Sequence, residues 1–278
     1  MLQVRRRNWT SQARRLSKAD AFVVSVPKSG RTWLRVFLYA YFCRSVNREF
    51  TISNRKLAGT GVPRIEFTHD LWSYATVARW RYRLLGKDII PLRASQTKPI
   101  LLLVRDPRDV IVSFFFQITK RGRGSYCGDM SGAIRHPRFG VNSMVDVMNA
   151  WLTEWNQRKD FKFLRYEDCK RDTEAAFRGV LGFLGVDEVD EASFRHGLQY
   201  SSFENMKRME SQQQFKNKIL SAANVNDPDS YKVRRAVVGG YRDYVAPDDI
   251  GYLDDALNRL DERFGYRAET SPAAVSYR

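Results

Sequence analysis

The stretch that decides the fold is Pro27-Lys28-Ser29-Gly30-Arg31-Thr32-Trp33. It follows the apolar run Ala21-Phe22-Val23-Val24-Ser25-Val26, which has the length of a buried strand, and it precedes a helical pattern from Leu34 to Phe42. A strand, a tight turn and a helix N-terminus direct backbone N–H groups and the helix dipole towards one point. The stretch therefore predicts a binding site for an anion.

The side chains of this turn suit a nucleotide that carries phosphate. Lys28 supplies a full charge, and Ser29 and Thr32 supply hydroxyl donors. Trp33 adds a flat surface on which a purine can stack. The GxxxxGK[ST] loop of nucleotide triphosphatases is not matched, because Lys28 precedes Gly30 and no second glycine stands upstream. From this segment alone, an ordinary strand–turn–helix corner with a solvated lysine remains the alternative.

The composition is that of a globular protein in a reducing compartment. Of the 278 residues, 43% are hydrophobic and 28% are charged. No apolar run approaches the roughly 20 residues of a membrane-spanning helix. The three cysteines Cys43, Cys127 and Cys169 are widely spaced without a CxxC pair, so neither a disulfide framework nor a zinc site is indicated. We expect a cytoplasmic location and no metal.

The positive charge is concentrated near the N-terminus. The net charge is +16, and residues 1–50 hold eleven Lys or Arg but only Asp20 and Glu49 as acids. Such a bias favours nucleotides, acidic glycans, nucleic acid or anionic lipid as partners. The basic N-terminus also offers a surface for peripheral contact with an anionic membrane. The predicted parts are a basic arm over residues 1–20, one domain over residues 21–268, and a tail over residues 269–278.

A second anion site is predicted at Arg105. The apolar run Ile100–Val104 has the pattern of a strand that is covered on both faces. Pro107 suits the first turn of a helix, and Ser113 lies eight residues after Arg105, about two helical turns along. Arg105 can fork onto a phosphate while Ser113 adds a hydroxyl donor.

A third strand–helix unit completes the prediction of the fold. Phe161 to Tyr166 alternates like a strand, and Thr173 to Leu184 has a helical pattern that Gly185 ends. Three such crossovers predict an α/β fold in a single domain, with a central parallel sheet and helices on both faces. Ligands bind such sheets at the carboxyl ends of the strands, which is where both anion motifs lie.

Together these segments resemble the sulfotransferases that use 3′-phosphoadenosine 5′-phosphosulfate (PAPS), and they are most similar to the soluble, cytosolic-type small-molecule class. The resemblance covers residues 22 to about 265, with five motifs in the family order. The family patterns are PKSGTTW, an arginine and a serine eight apart, YED, TSFxxMK and RKGxxGDWK. The matching segments are Pro27–Trp33, Arg105–Ser113, Tyr166-Glu167-Asp168, Ser201–Lys207 and Arg234–Arg242.

The resemblance implies a binding role for each motif. The P-loop-like turn would hold the 5′-phosphosulfate, the arginine–serine motif and the RKG-like loop would hold the 3′-phosphate, and the remaining two motifs would lie by the adenine. In that order, the implied residues are Lys28, Ser29, Gly30, Arg31, Thr32 and Trp33; Arg105, Ser113, Arg234, Arg235 and Ala236; and Tyr166, Ser201, Phe203 and Met206. The segments depart from the family pattern at three places, since Arg31 replaces threonine, Ala236 replaces glycine and Gly240-Tyr241 replaces Asp-Trp. The dimerisation segment of the family is not recognisable at residues 243–250, so no oligomeric state is predicted.

The catalytic base is predicted at His69. The segment from Pro63 to His69, PRIEFTH, resembles the family's PRIxKTH, whose histidine is the general base. Imidazole, with an ordinary pKa near 6.5, suits that task at neutral pH. Other branches of the family use a glutamate, and Glu66 is nearby. A strand would point Glu66 and His69 to opposite faces, which favours His69. Phe67 stands where the family often has lysine.

The predicted reaction moves a sulfuryl group from PAPS to a hydroxyl or amine of a small-molecule or glycan acceptor and releases 3′-phosphoadenosine 5′-phosphate (PAP). The acceptor attacks in line, His69 takes its proton, and Lys28 stabilises charge on the departing phosphate oxygen. A nucleotide kinase is one alternative, but its triphosphate loop is missing. A nucleic-acid- or polyanion-binding protein is another, on charge alone, and its binding would fall steeply with salt. We expect no nucleic-acid partner.

Two segments leave the acceptor site open. The glycine-rich segment from Lys120 to Asn142 has the composition of a flexible loop, which either covers the site or is a surface excursion. The aromatic-rich segment from Trp72 to Tyr82 either lines an acceptor pocket or packs in the core. His136 and His196 are given no catalytic role.

Overall fold

A parallel sheet with helices on both faces forms the centre of the protein. The computed structural model describes residue 5 and residues 11–76, 88–121, 126–215 and 220–266. Within these ranges the sheet has four strands in the order β2-β1-β3-β4, and every neighbouring pair is parallel. The strands are β1 Ala21–Val24, β2 Ile65–Thr68, β3 Ile100–Val104 and β4 Phe161–Arg165. The predicted α/β fold class is confirmed.

Helices connect and cover the strands. They are α1 Ser11–Ser17, α2 Arg31–Ser45, α3 Leu71–Thr76, α4 Leu92–Thr97, α5 Pro107–Phe116, α6 Met130–Arg135, α7 Val141–Trp155, α8 Tyr166–Arg171, α9 Thr173–Phe183, α10 Glu191–Tyr200, α11 Phe203–Ser211 and α12 Pro247–Asn258. A π-helical turn, Gln117–Arg121, extends α5, and short 3₁₀ turns lie at Pro228–Ser230, Gly240–Asp243 and Glu262–Phe264. None of the helices in the described ranges is long and apolar enough to span a lipid bilayer.

The alternation of side chains along β3 builds a core on each face of the sheet. Ile100 and Leu102 pack with α5, α7 and α12, whereas Leu101 and Leu103 pack with α2, α9 and α10. The whole strand is buried because both faces are covered, as its unbroken apolar run predicted. Trp151 and Trp155 of the first core are buried too.

The N-terminal segment is anchored to the domain through Arg5 and through α1. The guanidinium of Arg5 is fully buried and pairs with Asp70 at 2.8 Å and with Glu154 at 2.6 Å. Leu16 of α1 is also fully buried in the core. The division into arm, domain and tail stays a prediction, and the tail, residues 269–278, lies outside the described residues.

The structure corrects the prediction of a flexible loop from Lys120 to Asn142. Residues 130–135 of that segment form α6, which Asp129 caps by accepting a hydrogen bond from the Gly132 N–H at 2.8 Å. Ala133 and Ile134 of this helix are fully buried, so apolar contacts hold the segment against the domain. Residues 122–125 lie outside the described residues.

The aromatic-rich segment is described only at its start. Trp72 packs in the core beside Phe114, with ring centroids 5.8 Å apart. Residues 77–87 lie outside the described residues, so the choice between pocket and core remains open for Trp80 and Tyr82.

Candidate active site

One cavity of about 950 Å³ opens where the carboxyl ends of the strands meet. All the predicted site residues line it except Ser29. The parallel arrangement explains this convergence, because the segment after each strand reaches the same edge of the sheet. The contributing residues that directly follow β2, β3 and β4 are His69, Arg105 and Tyr166, and the turn before α2 follows β1.

The turn between β1 and α2 has an unusual backbone. Lys28 and Gly30 both have positive φ angles, of 71° and 90°. A Cβ atom at Gly30 would lie 2.6 Å from Cδ2 of Tyr166, so only glycine fits against that ring. The turn thereby directs the N-terminus of α2 and its N–H groups into the cavity.

Ser29 lies beneath the turn. It is fully buried, and its Oγ has no hydrogen-bond partner among the described residues. A buried hydroxyl without a partner is unfavourable, and a bound group that accepts a hydrogen bond would satisfy it.

Lys28 faces an excess of positive charge. Burial, together with Arg121, Lys232 and Arg105, lowers the pKa of Lys28 to about 7, although Glu210 acts in the opposite direction. The ordinary pKa of lysine is near 10.4. An anion placed beside Lys28 would favour the protonated form and raise this pKa.

His69 is held in one orientation and one tautomer. Its ring lies just beyond the end of β2, where Nδ1 is 2.8 Å from the carbonyl oxygen of Ser25 and Nε2 is 2.7 Å from Nη2 of Arg31. A carbonyl only accepts and a guanidinium only donates, so Nδ1 carries the proton and Nε2 accepts. Burial and the charge of Arg31 lower the pKa of His69 well below its ordinary value, so the ring is neutral at neutral pH.

Glu66 is turned away from the cavity. It is buried on β2, and its carboxylate pairs with Arg15 at 2.8 Å and Arg64 at 3.5 Å. It also lies 3.4 Å from the amide nitrogen of Asn54. Its oxygens are engaged on the far side of the strand from His69, in agreement with the predicted alternation.

Arg105 and Asp109 join two parts of the cavity. Nη2 of Arg105 donates to Asp109 at 3.2 Å and to the Val237 carbonyl at 2.7 Å. Asp109 also accepts from the N–H groups of Gly239 at 2.8 Å and Tyr241 at 3.0 Å. These contacts hold the loop at residues 234–240 over the end of β3, and they leave Nε of Arg105 without a hydrogen-bond partner among the described residues.

The arginines of this loop are stacked on aromatic rings. The guanidinium of Arg234 lies 4.0 Å from the centroid of Phe116 and donates to the Tyr244 hydroxyl at 2.6 Å. Arg235 pairs with Asp243 at 2.7 Å. Ala236 has a φ of 54°, a conformation that glycine, the residue of the family pattern at this position, adopts without strain.

The predicted adenine side combines rings with helix termini. Trp33 packs edge-on against Tyr166 with centroids 5.9 Å apart, and against Phe177 at 5.0 Å. Phe203 begins α11, whose N-cap is Ser202. Ser201 and Met206 are buried and line the cavity beside them.

Sequence reasoning missed the charged cluster of Arg121, Lys232 and Glu210. Arg121 and Lys232 line the cavity, and Glu210 is fully buried behind them. Glu210 accepts from the N–H groups of Lys232 at 2.7 Å and Val233 at 2.9 Å, and it pairs with Arg121 at 3.3 Å. Lys232 lies two residues before the basic pair Arg234-Arg235 in the sequence, but nothing local pointed to Glu210.

The cavity suits an anionic nucleotide better than it suits a metal ion. Ser29 Oγ, Arg105 Nε and Arg31 Nη1 are buried polar atoms without hydrogen-bond partners among the described residues, and the latter two are cationic. Phosphate and sulfate oxygens would satisfy such donors. Across the described ranges, no cluster of three or more His, Cys, Asp or Glu is arranged to hold a metal ion.

Comparison with known sequences points to one family. The family model for the sulfotransferase domain matches residues 18–265. Sulfotransferase 2A2 of Rattus norvegicus is 31% identical over 68% of this chain and 66% of its own length. Flavonol 4′-sulfotransferase of Flaveria chlorifolia is 26% identical over 69% of this chain and 64% of its own length. Cytosolic sulfotransferase 17 of Arabidopsis thaliana is 24% identical over 91% of this chain and 77% of its own length.

Solved structures share the fold. Mouse sulfotransferase SULT7A1, complexed with PAP, superposes with a TM-score of 0.64 over 90% of this chain and 88% of its own, at 20% identity. Retinol dehydratase in complex with androsterone and inactive cofactor PAP gives a TM-score of 0.59 over 91% of this chain and 82% of its own, at 17% identity. The family match covers most of the chain, and the predicted enzyme class is confirmed: the chain belongs to the sulfotransferase family.

Proposed function

We propose that this protein transfers a sulfuryl group from PAPS to a hydroxyl group of a small organic acceptor and releases PAP. The observation that carries the proposal is the position of His69, whose Nε2 contacts Arg31 in the same cavity as the turn that holds Lys28. A base for the acceptor and a cation for the leaving group at one site are what sulfuryl transfer requires.

PAPS, when bound, would supply the sulfuryl group and a phosphate leaving group. Lys28, Ser29 and the N–H groups at the start of α2 would hold its 5′ end, and Lys28 would stabilise negative charge on the departing oxygen. His69 Nε2 would accept the proton of the acceptor hydroxyl, while the Ser25 carbonyl keeps the ring oriented through Nδ1. Deprotonation by His69 raises the nucleophilicity of the acceptor oxygen.

The 3′-phosphate would be held at the other end of the cavity. Arg105, Ser113, Arg234 and Arg235 bring three guanidinium groups and one hydroxyl to that region. Trp33, Tyr166 and Phe203 would enclose the adenine between them. Charge-assisted hydrogen bonds contribute roughly 1.5–3 kcal/mol each. Affinity should therefore depend strongly on the 3′-phosphate.

The acceptor is proposed to have an apolar body. Phe114 and Ile118 line the cavity together with His69, so a hydroxylated ring system would bury apolar surface beside the base. The names of relatives point the same way, since one is a flavonol sulfotransferase and another structure holds androsterone. A cytoplasmic location is part of the proposal and agrees with relatives that are named cytosolic.

The first test is nucleotide binding. Calorimetry should show that PAP binds at least about tenfold more tightly than adenosine 5′-phosphate, because the latter lacks the 3′-phosphate. Equal affinity for the two nucleotides would remove the basis for assigning PAPS.

The second test is the base. With labelled PAPS and a panel of phenols and alcohols, His69→Ala should lower turnover by about 10²–10⁴-fold and leave PAP affinity intact. Glu66→Gln is the matched control and should retain most of the turnover, because Glu66 lies outside the cavity. Loss of turnover in Glu66→Gln but not in His69→Ala would assign the base to the glutamate instead.

A further inference from the structure

The cation beside the base departs from the usual family pattern. Arg31 stands where the family has threonine, and its Nη2 lies 2.7 Å from Nε2 of His69. Phe67 stands where the family often has lysine, so β2 does not supply the positive charge that the family pattern predicts. Arg31 of α2 supplies a positive charge instead. The guanidinium thus lies at the atom that an acceptor hydroxyl must approach.

Arg31 has hydrogen-bonding capacity that the described protein does not use. Its Nη1 is shielded from solvent and has no hydrogen-bond partner among the described residues. One turn along α2, Nε of Arg35 is in the same condition, and the Arg35 guanidinium lies 4.2 Å from the centroid of Phe67. Two neighbouring guanidinium groups therefore have donors that point to no acceptor atom in the described part of the chain.

Among the described residues, the carboxylate that acts on this pair is engaged elsewhere. Glu66 opposes the lowering of the Arg35 pKa, but it forms its ion pairs with Arg15 and Arg64. The pKa of Arg31 is lowered by burial and by Arg35, neither of which supplies negative charge. A sheltered cation without a counter-charge is unfavourable, and an anionic ligand would compensate it.

The nucleotide has its own cations. Lys28 serves the 5′ end, and Arg105, Arg234 and Arg235 lie at the proposed 3′ end. Arg31 instead contacts the base, and the base must face the acceptor. Lys232 lines the same part of the cavity and adds positive charge that acts on His69.

We propose that Arg31 is a specificity-determining residue that binds an anionic substituent, such as a carboxylate, phosphate or sulfate, on the acceptor close to the hydroxyl that is sulfated. This inference rests on the proposed sulfuryl transfer and names its acceptor class. The anion would accept hydrogen bonds from the free N–H donors of Arg31. The acceptor hydroxyl would replace Nη2 of Arg31 as the hydrogen-bond donor to His69. Acceptor binding would then release the base from the guanidinium.

The geometry limits where the anion can lie. Nη2 and Nε2 are 2.7 Å apart, so the hydroxyl and the anion must approach atoms that are only a few ångströms from each other. An acceptor with the two groups on adjacent or next-adjacent ring carbons meets this condition. One with the groups at opposite ends of the ring does not.

The experiment measures acceptor binding to the protein saturated with PAP, which needs no turnover. The probes are 2-, 3- and 4-hydroxybenzoate and the corresponding neutral hydroxybenzamides, titrated by calorimetry. We expect 2- or 3-hydroxybenzoate to bind about 10- to 100-fold more tightly than its amide, as one or two charge-assisted hydrogen bonds provide. The 4-isomers should show a smaller ratio.

Three variants assign the effect. Arg31→Thr, which installs the family residue, should bring the acid-to-amide ratio close to one, and Arg31→Lys should keep part of it. Arg44→Thr removes an exposed arginine from the far end of the same helix and should leave the ratio unchanged. Thermal unfolding checks that each variant is folded.

The outcomes separate this inference from the proposed function. If PAP fails to bind, the proposed function fails. If PAP binds, three results would contradict the proposed role of Arg31. The acids bind no better than the amides, or neither probe binds, or the preference for the acids survives in Arg31→Thr. A kcat/KM measurement with labelled PAPS adds a further readout. If Arg31→Thr lowers activity equally for acid and amide, the guanidinium acts on the sulfuryl group and not on the acceptor.

Discussion

Nucleotide affinity should fall steeply above neutral pH because of Lys28. Burial and the nearby cations Arg121 and Lys232 lower the pKa of Lys28 to about 7 in the free protein. A phosphate next to the ammonium would favour its charged form, so nucleotide binding takes up a proton whenever Lys28 starts out neutral. The binding energy of Lys28 is therefore available below pH 7 and is lost as the pH rises through that value.

The magnitude follows from the pKa. A group with a pKa of about 7 is half protonated at pH 7 and about one hundredth protonated at pH 9. If PAP binds the protonated form, this residue alone lowers the apparent affinity about 50-fold over that interval. Phosphate monoesters have their second pKa near 6, so the charge of the ligand barely changes above pH 7. Lys232, whose pKa burial lowers to about 8, would add up to about another tenfold.

The assay compares PAP affinity at pH 7 and pH 9 in the wild type and in Lys28→Met, which keeps the length of the side chain without its charge. The advantage of the wild type over the variant should shrink about 50-fold across the interval. Lys56→Met, an exposed lysine outside the cavity, is the matched control and should follow the wild type. At pH 8, calorimetry in buffers of different ionisation enthalpy should detect proton uptake.

One result would refute the reasoning directly. If Lys28→Met loses affinity with pH as steeply as the wild type does, the pH dependence arises from another group. If the wild type binds PAP equally at pH 7 and pH 9, then Lys28 either does not contact the phosphate or is already charged in the free protein.

Three further outcomes test the local geometry. Gly30→Ala should lower PAP affinity, measured by calorimetry, at least about tenfold, because the new Cβ would lie 2.6 Å from Tyr166. Gly59, which has a similar positive φ but no neighbouring atom, provides the control, and Gly59→Ala should leave the affinity unchanged. Ala236→Gly should raise the free energy of unfolding in urea by roughly 0.5–1 kcal/mol, since a φ of 54° disfavours any side chain; an unchanged midpoint would argue against strain there. Arg5→Ala should lower the same free energy by about 3 kcal/mol or more, because it leaves two carboxylates without their buried partner, and a loss below about 1 kcal/mol would contradict that role.

Local pattern was enough to predict the sheet. The apolar runs at Ala21–Val26 and Ile100–Val104 became buried parallel strands, because a strand covered on both faces has no polar side and needs none. The helix after the first run begins at Arg31, three residues before the predicted helical pattern from Leu34, and the helix after the second begins at Pro107, which suits a first turn. Such features depend on neighbours within a few residues, so they can be read without knowing the fold.

Composition misled where tertiary contacts decide the structure. The glycine-rich segment after Lys120 was expected to be flexible, yet residues 130–135 form a helix because Ala133 and Ile134 find a place in the core. Composition gives the intrinsic preference of a segment and says nothing about the surface that receives it.

The sequence by itself determined which residues converge at the carboxyl edge of the sheet, because parallel strands bring the ends of distant segments to one place. Only the tertiary structure decided how their charges are paired. Arg31 meets His69 across 38 positions, and Glu210 meets Arg121 across 89. No local pattern encodes these pairs, since each depends on the packing of separate helices and loops. As a result, a positively charged donor of Arg31 lies beside the base and is shielded from solvent. The sequence alone shows only that an arginine stands in place of a threonine.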